Sequence, residues 1–356
     1  MTYKDNFLLW FRMTDKQWDL LVDVINGKKV EPLPMGFIID SPWLPNWFGI
    51  SILDYYTNDS LWFDANMEAI NEFPDIIFLP GFWSEYGMCT EPSAFGAKSS
   101  FPANAFPNAG KLIHSVEEVE DLGMPNPEQD GLLPFMLNRL KLARSKIEDA
   151  GHKIRFSVSR GPLNIAGFLM GMTEFLISIK TEPDKAHTLL KKVTAFLKKW
   201  HQVQRDTFPS IDGIFILDDI IGFIGEEDFK NFGLPYFKEL YESDVKVKFL
   251  HNDASCKASV KYLPEMGVNL FNMGFDTDLN KLKAETENKV AMLGNIPPRD
   301  VLAKGSPEDV KKAVTELMDP LEDKSRVILS CGGGMPPGVS TENIKAFVET
   351  VKSHKL

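Results

Sequence analysis

Gly213-Ile214-Phe215-Ile216-Leu217-Asp218-Asp219 and Val247-Lys248-Phe249-Leu250-His251-Asn252-Asp253 decide how this chain is read. Each is a run of strand length, rich in β-branched and aromatic residues, that ends abruptly in carboxylates, amides or an imidazole. Working outward, the apolar part of the pattern recurs. Strand-length runs lie at 35–39, 75–79 and 154–158 before residues 213–217 and 245–250, and at 269–273, 290–294 and 327–330 after them. Between most of them, residues 133–150, 182–205, 227–242, 256–266 and 307–319 carry apolar residues at helical spacing with a polar opposite face. A further helical stretch opens the chain at 16–26, through Leu20, Leu21, Val24 and Ile25.

Eight strands alternating with helices predict an α/β fold of the (β/α)8 TIM barrel type, because parallel neighbours require a crossover and both sheet faces must be covered. An open doubly wound sheet is the main rival. The 356 residues suit one barrel domain over 1–356, with a helical extension over about residues 1–30. Segments 41–73 and 80–127 are long and rich in Pro, Gly, Trp and Phe, and both follow strands. They are expected to be loops on the catalytic face, serving as lids or binding loops.

A hydrophobic fraction of 44% with 25% charged residues is globular rather than disordered. The formal charge of -11, with no Lys/Arg block interleaved with aromatics, argues against nucleic acid as a partner. No apolar run approaches the roughly 20 residues needed to span a bilayer, and residues 1–10 do not read as a signal peptide. No membrane association and a cytoplasmic location are therefore expected. Cys89, Cys256 and Cys331 are widely spaced and odd in number, which argues against a disulfide framework.

In a barrel the strand interiors are packed, so polar residues at strand ends face the mouth. Asp40, Ser159, Arg160, Asp218, Asp219, His251, Asn252, Asp253, Asn272, Asn295, Ser330 and Cys331 occupy such positions. Each alone reads equally well as a helix cap or a loop hydrogen bond. As a ring that includes the one histidine at a strand end, they have the composition of an active site. His251, Asp219 and Asp253 are the catalytic candidates, and Asp40, Arg160, Asp218, Asn252 and Asn272 the candidates for substrate contact. Trp43, Trp47, Phe48, Phe82, Trp83 and Tyr86 cluster in the two long segments. They read either as a flat slot for a ring-shaped ligand, with Trp43, Trp47, Trp83 and Tyr86 touching it, or as a loop core.

Arg160-Gly161-Pro162-Leu163 through Thr173, followed by Glu182-Pro183-Asp184, resembles the uroporphyrinogen decarboxylase superfamily, where a strand, a Gly-Pro turn and a small-residue helix precede a further helix. Ile216-Leu217-Asp218-Asp219 with Phe229 and Leu234-Pro235-Tyr236 is similar to its "D…F…P-Y" stretch, and Phe249 through Asp253 to its "H-x-C/D-G" strand. Ser330 through Gly338 with Glu342-Asn343-Ile344 resembles its closing Gly-rich signature. The resemblance spans roughly residues 28–350 and implies the barrel fold.

The superfamily holds a porphyrin decarboxylase and cobalamin-dependent methyltransferases, so the resemblance leaves activity open. The decarboxylase carries an arginine-rich loop for its substrate's carboxylates, and here Ile39-Asp40-Ser41-Pro42-Trp43 stands in that place without an arginine. Thr90 through Ala97 looks like the "E-A-E-A-h-G-A" loop of the methyltransferase branch and adds Glu91 to the catalytic candidates. That branch implies zinc on a carboxylate, on both residues of "H-x-C" and on a closing cysteine. This chain keeps His251 but has Asp253 at the first cysteine position and Gly333 at the second, with Cys331 two residues earlier. The implied ligands are therefore His251, Asp253, Cys331 and Glu91, or Glu85 in its stead. The implied activity is methyl transfer from a small methylated donor, a methoxylated aromatic or a methylamine, to the Co(I) of a separate corrinoid protein, since no "D-x-H-x-x-G" cobalamin motif is present. Methyl transfer from a methylcorrinoid to a thiol, or decarboxylation or lysis of a small acid, are the alternatives. The family also implies pairing as a homodimer.

Overall fold

The computed structural model describes residues 15–39 and 42–354. Eight parallel strands form one sheet: β1 Met35–Ile38, β2 Ile76–Leu79, β3 Phe156–Arg160, β4 Gly213–Leu217, β5 Val247–Asn252, β6 Leu270–Met273, β7 Ala291–Ile296 and β8 Val327–Cys331. Their order is β2-β1-β8-β7-β6-β5-β4-β3, all in parallel register. The sheet curls on itself, because one buried cluster draws side chains from all eight strands, among them Ile38, Leu79, Val158, Phe215, Phe249, Leu270, Leu293 and Ile328. The fold is thus the (β/α)8 type that the alternation predicts, and not an open doubly wound sheet.

Helix Asp15–Ile25 closes one end of this interior. Trp18, Leu21, Val24 and Ile25 are buried on one face in the same cluster, and the Trp18 ring meets Phe156 edge-on at 5.4 Å. Gly36 leaves room for neighbouring strands inside. A Cβ there would stand 3.1 Å from the Ile77 carbonyl oxygen and 3.3 Å from side-chain carbons of Ile328 and Leu293.

The ladder is unbroken except at one seam. Among the described residues β2 and β3 share no rung, so alternate backbone groups of β3 need other partners. Gln204, on helix Pro183–Thr207, supplies them for Val158. Its Oε1 accepts from Val158 N at 2.9 Å and its Nε2 donates to Val158 O at 3.0 Å. One turn earlier, His201 lies between Ser157 Oγ and Ser159 Oγ, 2.9 Å from each. At the strand end, Arg160 N donates to Glu91 Oε1 at 3.0 Å. The seam is therefore closed by side chains.

Two expectations shift. Strands β3 and β5 run on into Arg160 and Asn252, so their last polar residues are strand residues whose direction the pleat fixes. Segment 41–73 is mostly helix, with Trp43–Phe48, Ile52–Thr57 and Asp59–Glu72. Ser51 Oγ accepts from Asp54 N, and Asn58 Oδ1 from Ser60 N and Leu61 N, so caps that the aromatic-rich composition obscures start the last two. The last of them gives β1 and β2 the crossover that a parallel pair needs. Segment 80–127 matches the expected loop more closely, with one short helix Thr90–Ala94, a 3-10 turn Val116–Val119 and a two-residue antiparallel pair, Ser99–Ser100 with Asn108–Ala109. Among the described residues no single helix is long and apolar enough to cross a membrane.

Candidate functional site

Phe156 and Val158, Phe215, and Val247 and Phe249 point into the barrel, so by the two-residue period of a strand Arg160, Leu217 and His251 do so at its upper end. Register sets them side by side: Arg160 pairs with Leu217, Leu217 with His251, and His251 with Asn272. Above this row lies a cavity of about 870 Å³, lined by Arg160, Asp219, His251 and Asp253 from the strand ends and by Phe106, Phe168, Phe223, Met88 and Met172 from the loops and helices around them.

His251 is held from behind. Its Nδ1 lies 2.7 Å from Asn272 Oδ1, which only accepts, so Nδ1 carries the proton. The Asn272 amide is turned that way because its Nδ2 donates to Leu293 O at 2.7 Å. The other ring nitrogen, Nε2, faces Asp219, whose Oδ1 is 3.9 Å away. Asp253 completes the group: one ligand atom from each of Asp219, His251 and Asp253 lies within 4.8 Å of the others. Asp253 N donates to Asp219 Oδ1 at 3.0 Å, which draws the two carboxylates onto one side of the imidazole.

Burial raises the proton affinity of Asp219, the His251 ring opposes that shift and the Asp253 charge adds to it. Two carboxylates this close to one another and to the imidazole favour a positive charge among them. One nitrogen and two oxygen donors, with Nδ1–H fixed by an amide behind it, suit a divalent cation such as zinc.

The Gly-rich closing segment forms the cavity's far wall. Gly332 N donates to Ile296 O, Gly333 N to Met273 O and Met335 N to Ile38 O, which stitches it over three strands. Gly333 has φ +83°, and a Cβ there would lie 2.9 Å from Asp253 Cβ, so glycine is needed for Asp253 to keep its place.

The remaining candidates are placed elsewhere. Cys331 is buried and its Sγ lies 3.5 Å from Gly333 O, outside the Asp219–His251–Asp253 group, because inward and outward positions alternate along β8. Glu91 is buried at the seam and Glu85 beside it, where Arg160 Nη2 donates to Glu85 Oε2 at 2.6 Å. Burial pushes the Glu91 carboxyl up. Asp218 has no exposed surface, and its oxygens accept from Leu163 N, Asn164 N and Ile220 N. It anchors helix Pro162–Met170 rather than facing the cavity. A Cβ on Gly161 would come within 2.3 Å of that carboxylate. Asn252 accepts from Ala254 N and shapes the turn below Asp253. Asn272 stands behind His251. Asp40 lies outside the described residues.

The aromatic slot is also corrected. Trp43 and Trp47 stack on one another at 5.3 Å, and their indole N–H groups go to Val339 O and Thr341 Oγ1. Trp83 belongs to the barrel interior, and Tyr86 packs on Tyr56 and under the Arg139 guanidinium. None of the four lines the cavity. Its aromatics are Phe106, Phe168 and Phe223, which the sequence did not mark: Phe168 sits in a helix apolar but for Asn164, and Phe106 and Phe223 stand in irregular segments without periodicity.

A uroporphyrinogen decarboxylase (URO-D) family model matches residues 16–354. Curated relatives include uroporphyrinogen decarboxylases of Chlorobium limicola, 24% identical over 253 residues (68% of this chain, 70% of the relative), and of Mannheimia succiniciproducens, 24% identical over 283 residues (75% and 77%). Among solved structures, a methyltransferase from Methanosarcina mazei superposes with a TM-score of 0.78 at 18% identity, over 96% of this chain and 98% of that one. A B12-independent methionine synthase from Shewanella sp. W3-18-1 gives 0.54 at 11% identity, over 90% and 98%. At these identities the structures share a fold. With the family model matched from the first helix to the last, this chain belongs to the uroporphyrinogen decarboxylase (URO-D) family.

Proposed function

We propose that this protein is a methyltransferase that takes a methyl group from a small methylated donor, a methoxylated aromatic by preference, and delivers it to the Co(I) of a separate corrinoid protein. The observation that carries the reading is the Asp219–His251–Asp253 group, its imidazole fixed by Asn272, set in a cavity that also has Phe, Met, Pro and Ile side chains in its walls. Attack on a methyl ether expels a phenolate, a poor leaving group unless its charge is neutralised. A zinc or similar divalent ion held by Asp219, His251 and Asp253 would supply a Lewis acid for that oxygen. Phe106, Phe168, Met88 and Met172 offer apolar surface for the ring. Asn272 keeps the His251 tautomer constant through the cycle. The overall likeness to the Methanosarcina mazei methyltransferase is consistent with this assignment.

Decarboxylation of uroporphyrinogen, the activity named for the curated relatives, suits the cavity less well. Two carboxylates on its floor would face the substrate's own, and Arg160, which lines it together with Arg299 and Lys304, is already engaged by Glu85. Transfer to a thiol lacks a thiolate ligand, since Cys331 is turned away.

The test mixes the protein with a Co(I) corrinoid protein and a panel of methoxylated and N-methylated compounds, and follows the cobalt absorbance. Conversion of Co(I) to methyl-Co(III) with one donor class supports the proposal. Carbon dioxide release from a porphyrinogen, with no cobalt methylation across the panel, would overturn it.

A further inference from the structure

A second cavity, of about 360 Å³, lies between the segment that follows β6, the end of β7 and helix Pro307–Met318. The helical turn Pro298–Ala303 stands between it and the mouth of the barrel: Val301 lines this cavity, whereas Pro298, Arg299 and Ala303 line the other. Leu279, Ile296 and Leu317 add apolar wall, together with the half-exposed Phe275. The polar lining is one-sided. Asp276, Asp278 and Glu316 contribute carboxylates, and no Lys, Arg or His side chain lines the cavity. Among the described residues neither aspartate has an ion-pair partner, and Glu316 has Lys312 alone, at 3.8 Å and largely exposed. The side-chain donors are engaged within the protein, Asn280 Nδ2 with Pro320 O at 2.8 Å and Thr277 Oγ1 with Asp276 Oδ1 at 3.3 Å. Asn295 is an independent sign of a ligand. Only 6% exposed, it donates through Nδ2 to Thr277 O at 2.8 Å and to Gly274 O at 3.2 Å, yet among the described residues nothing donates to its Oδ1. Its side chain lines this cavity and not the mouth, so a donor arriving in the cavity would relieve a polar atom that is costly to leave unpaired.

We infer that this cavity binds a small organic ammonium ion carried on an apolar stem, at a site separate from the mouth and independent of methyl transfer. Acceptors without donors call for a ligand that donates, and unpaired carboxylates call for one that is positive. A bare metal ion suits the cavity less. Among the described residues the one group of His, Cys, Asp or Glu whose ligand atoms converge within 4.8 Å is Asp219–His251–Asp253, so the three carboxylates here do not close on a common point. An alkylammonium has no such need, because it directs three N–H donors outward from one charged nitrogen and lays its stem on apolar wall.

The experiment measures binding of hexylammonium and of 1-hexanol, similar in size and different in charge, by calorimetry on the whole protein without corrinoid protein. The amine should bind roughly 10-fold more tightly. That advantage should shrink as salt is raised, since Asp276 and Asp278 are exposed. Asp278 Oδ1 also accepts from Lys281 N as a helix cap, a task an asparagine performs equally well. Asp276→Asn/Asp278→Asn should therefore bring amine and alcohol to near parity with an unchanged melting temperature. Asp219→Asn/Asp253→Asn, which removes the carboxylates of the mouth, should leave the preference intact. Equal binding of amine and alcohol by the native protein, or no binding of the amine, would overturn the inference. So would a preference that survives the loss of Asp276 and Asp278, or one that disappears with Asp219 and Asp253 and so belongs to the mouth.

Discussion

His251 owes its chemistry to a neighbour as much as to itself. Asn272 takes the proton-bearing Nδ1 and leaves Nε2 facing Asp219 and Asp253. His251→Ala should abolish turnover while leaving the melting temperature nearly unchanged, since its ring looks into the cavity; unchanged turnover would remove it from the mechanism. Asn272→Ala should lower metal affinity or turnover by about 10–100-fold, the usual loss when a ligand's hydrogen-bonded support is removed. Asn272→Asp, which still accepts from Nδ1, should retain most of it. Metal content and steady-state rates check both. Residues such as Asp219, His251 and Asp253 were legible in the sequence because a polar residue closing an apolar strand has one direction to face. Cys331 read the same way, yet the pleat turned it elsewhere, and Glu91, which the resemblance supplied, is buried against the backbone of Arg160. No pattern in one sequence marks Phe106 as a cavity wall.

At the scale of elements, the seam between β2 and β3 depends on one helix. Gln204→Ala would leave the Val158 N–H and C=O buried and unpaired, at a cost of about 2–4 kcal/mol measured by urea unfolding. A loss under a few tenths would mean that the glutamine is incidental. His201 adds a pH signature. Burial holds its ring down to about 3, below the 6.5 of the free side chain, so it stays neutral in the folded state. Its contribution is complete above pH 6.5 and is lost as pH falls toward 3, because the unfolded chain takes up the proton first. At pH 5 the difference amounts to about 2 kcal/mol. His201→Gln should flatten this part of the stability profile, and an unchanged slope would place the titration elsewhere. The amphipathic spacing of 182–205 predicted the helix, but a histidine and a glutamine one turn apart gave no sign of serving a strand edge. The helices of segment 41–73 are hidden for a related reason, two of the three being only six residues long and the segment dense in aromatics that suggest a ligand slot.

For the molecule as a whole, the neighbouring ends of β4 and β5 bring one acidic, imidazole-bearing group into a cavity at the mouth of the barrel. If it holds a divalent ion, excess zinc should stabilise the folded protein by about 2.7 kcal/mol at a hundred times the dissociation constant. Asp219→Ala/Asp253→Ala should lose that increment in thermal melts with and without chelator. The barrel was legible because strand length and alternation are properties of local sequence, whereas the open seam and the cavity's walls depend on long-range packing. The most direct measurement follows cobalt absorbance when Co(I) corrinoid protein, methoxylated donor and this protein are mixed, native against His251→Ala. The account predicts loss of the Co(I) spectrum with the native protein and its persistence with the variant. Equal methylation by both, or none by the native protein with any donor, would contradict it.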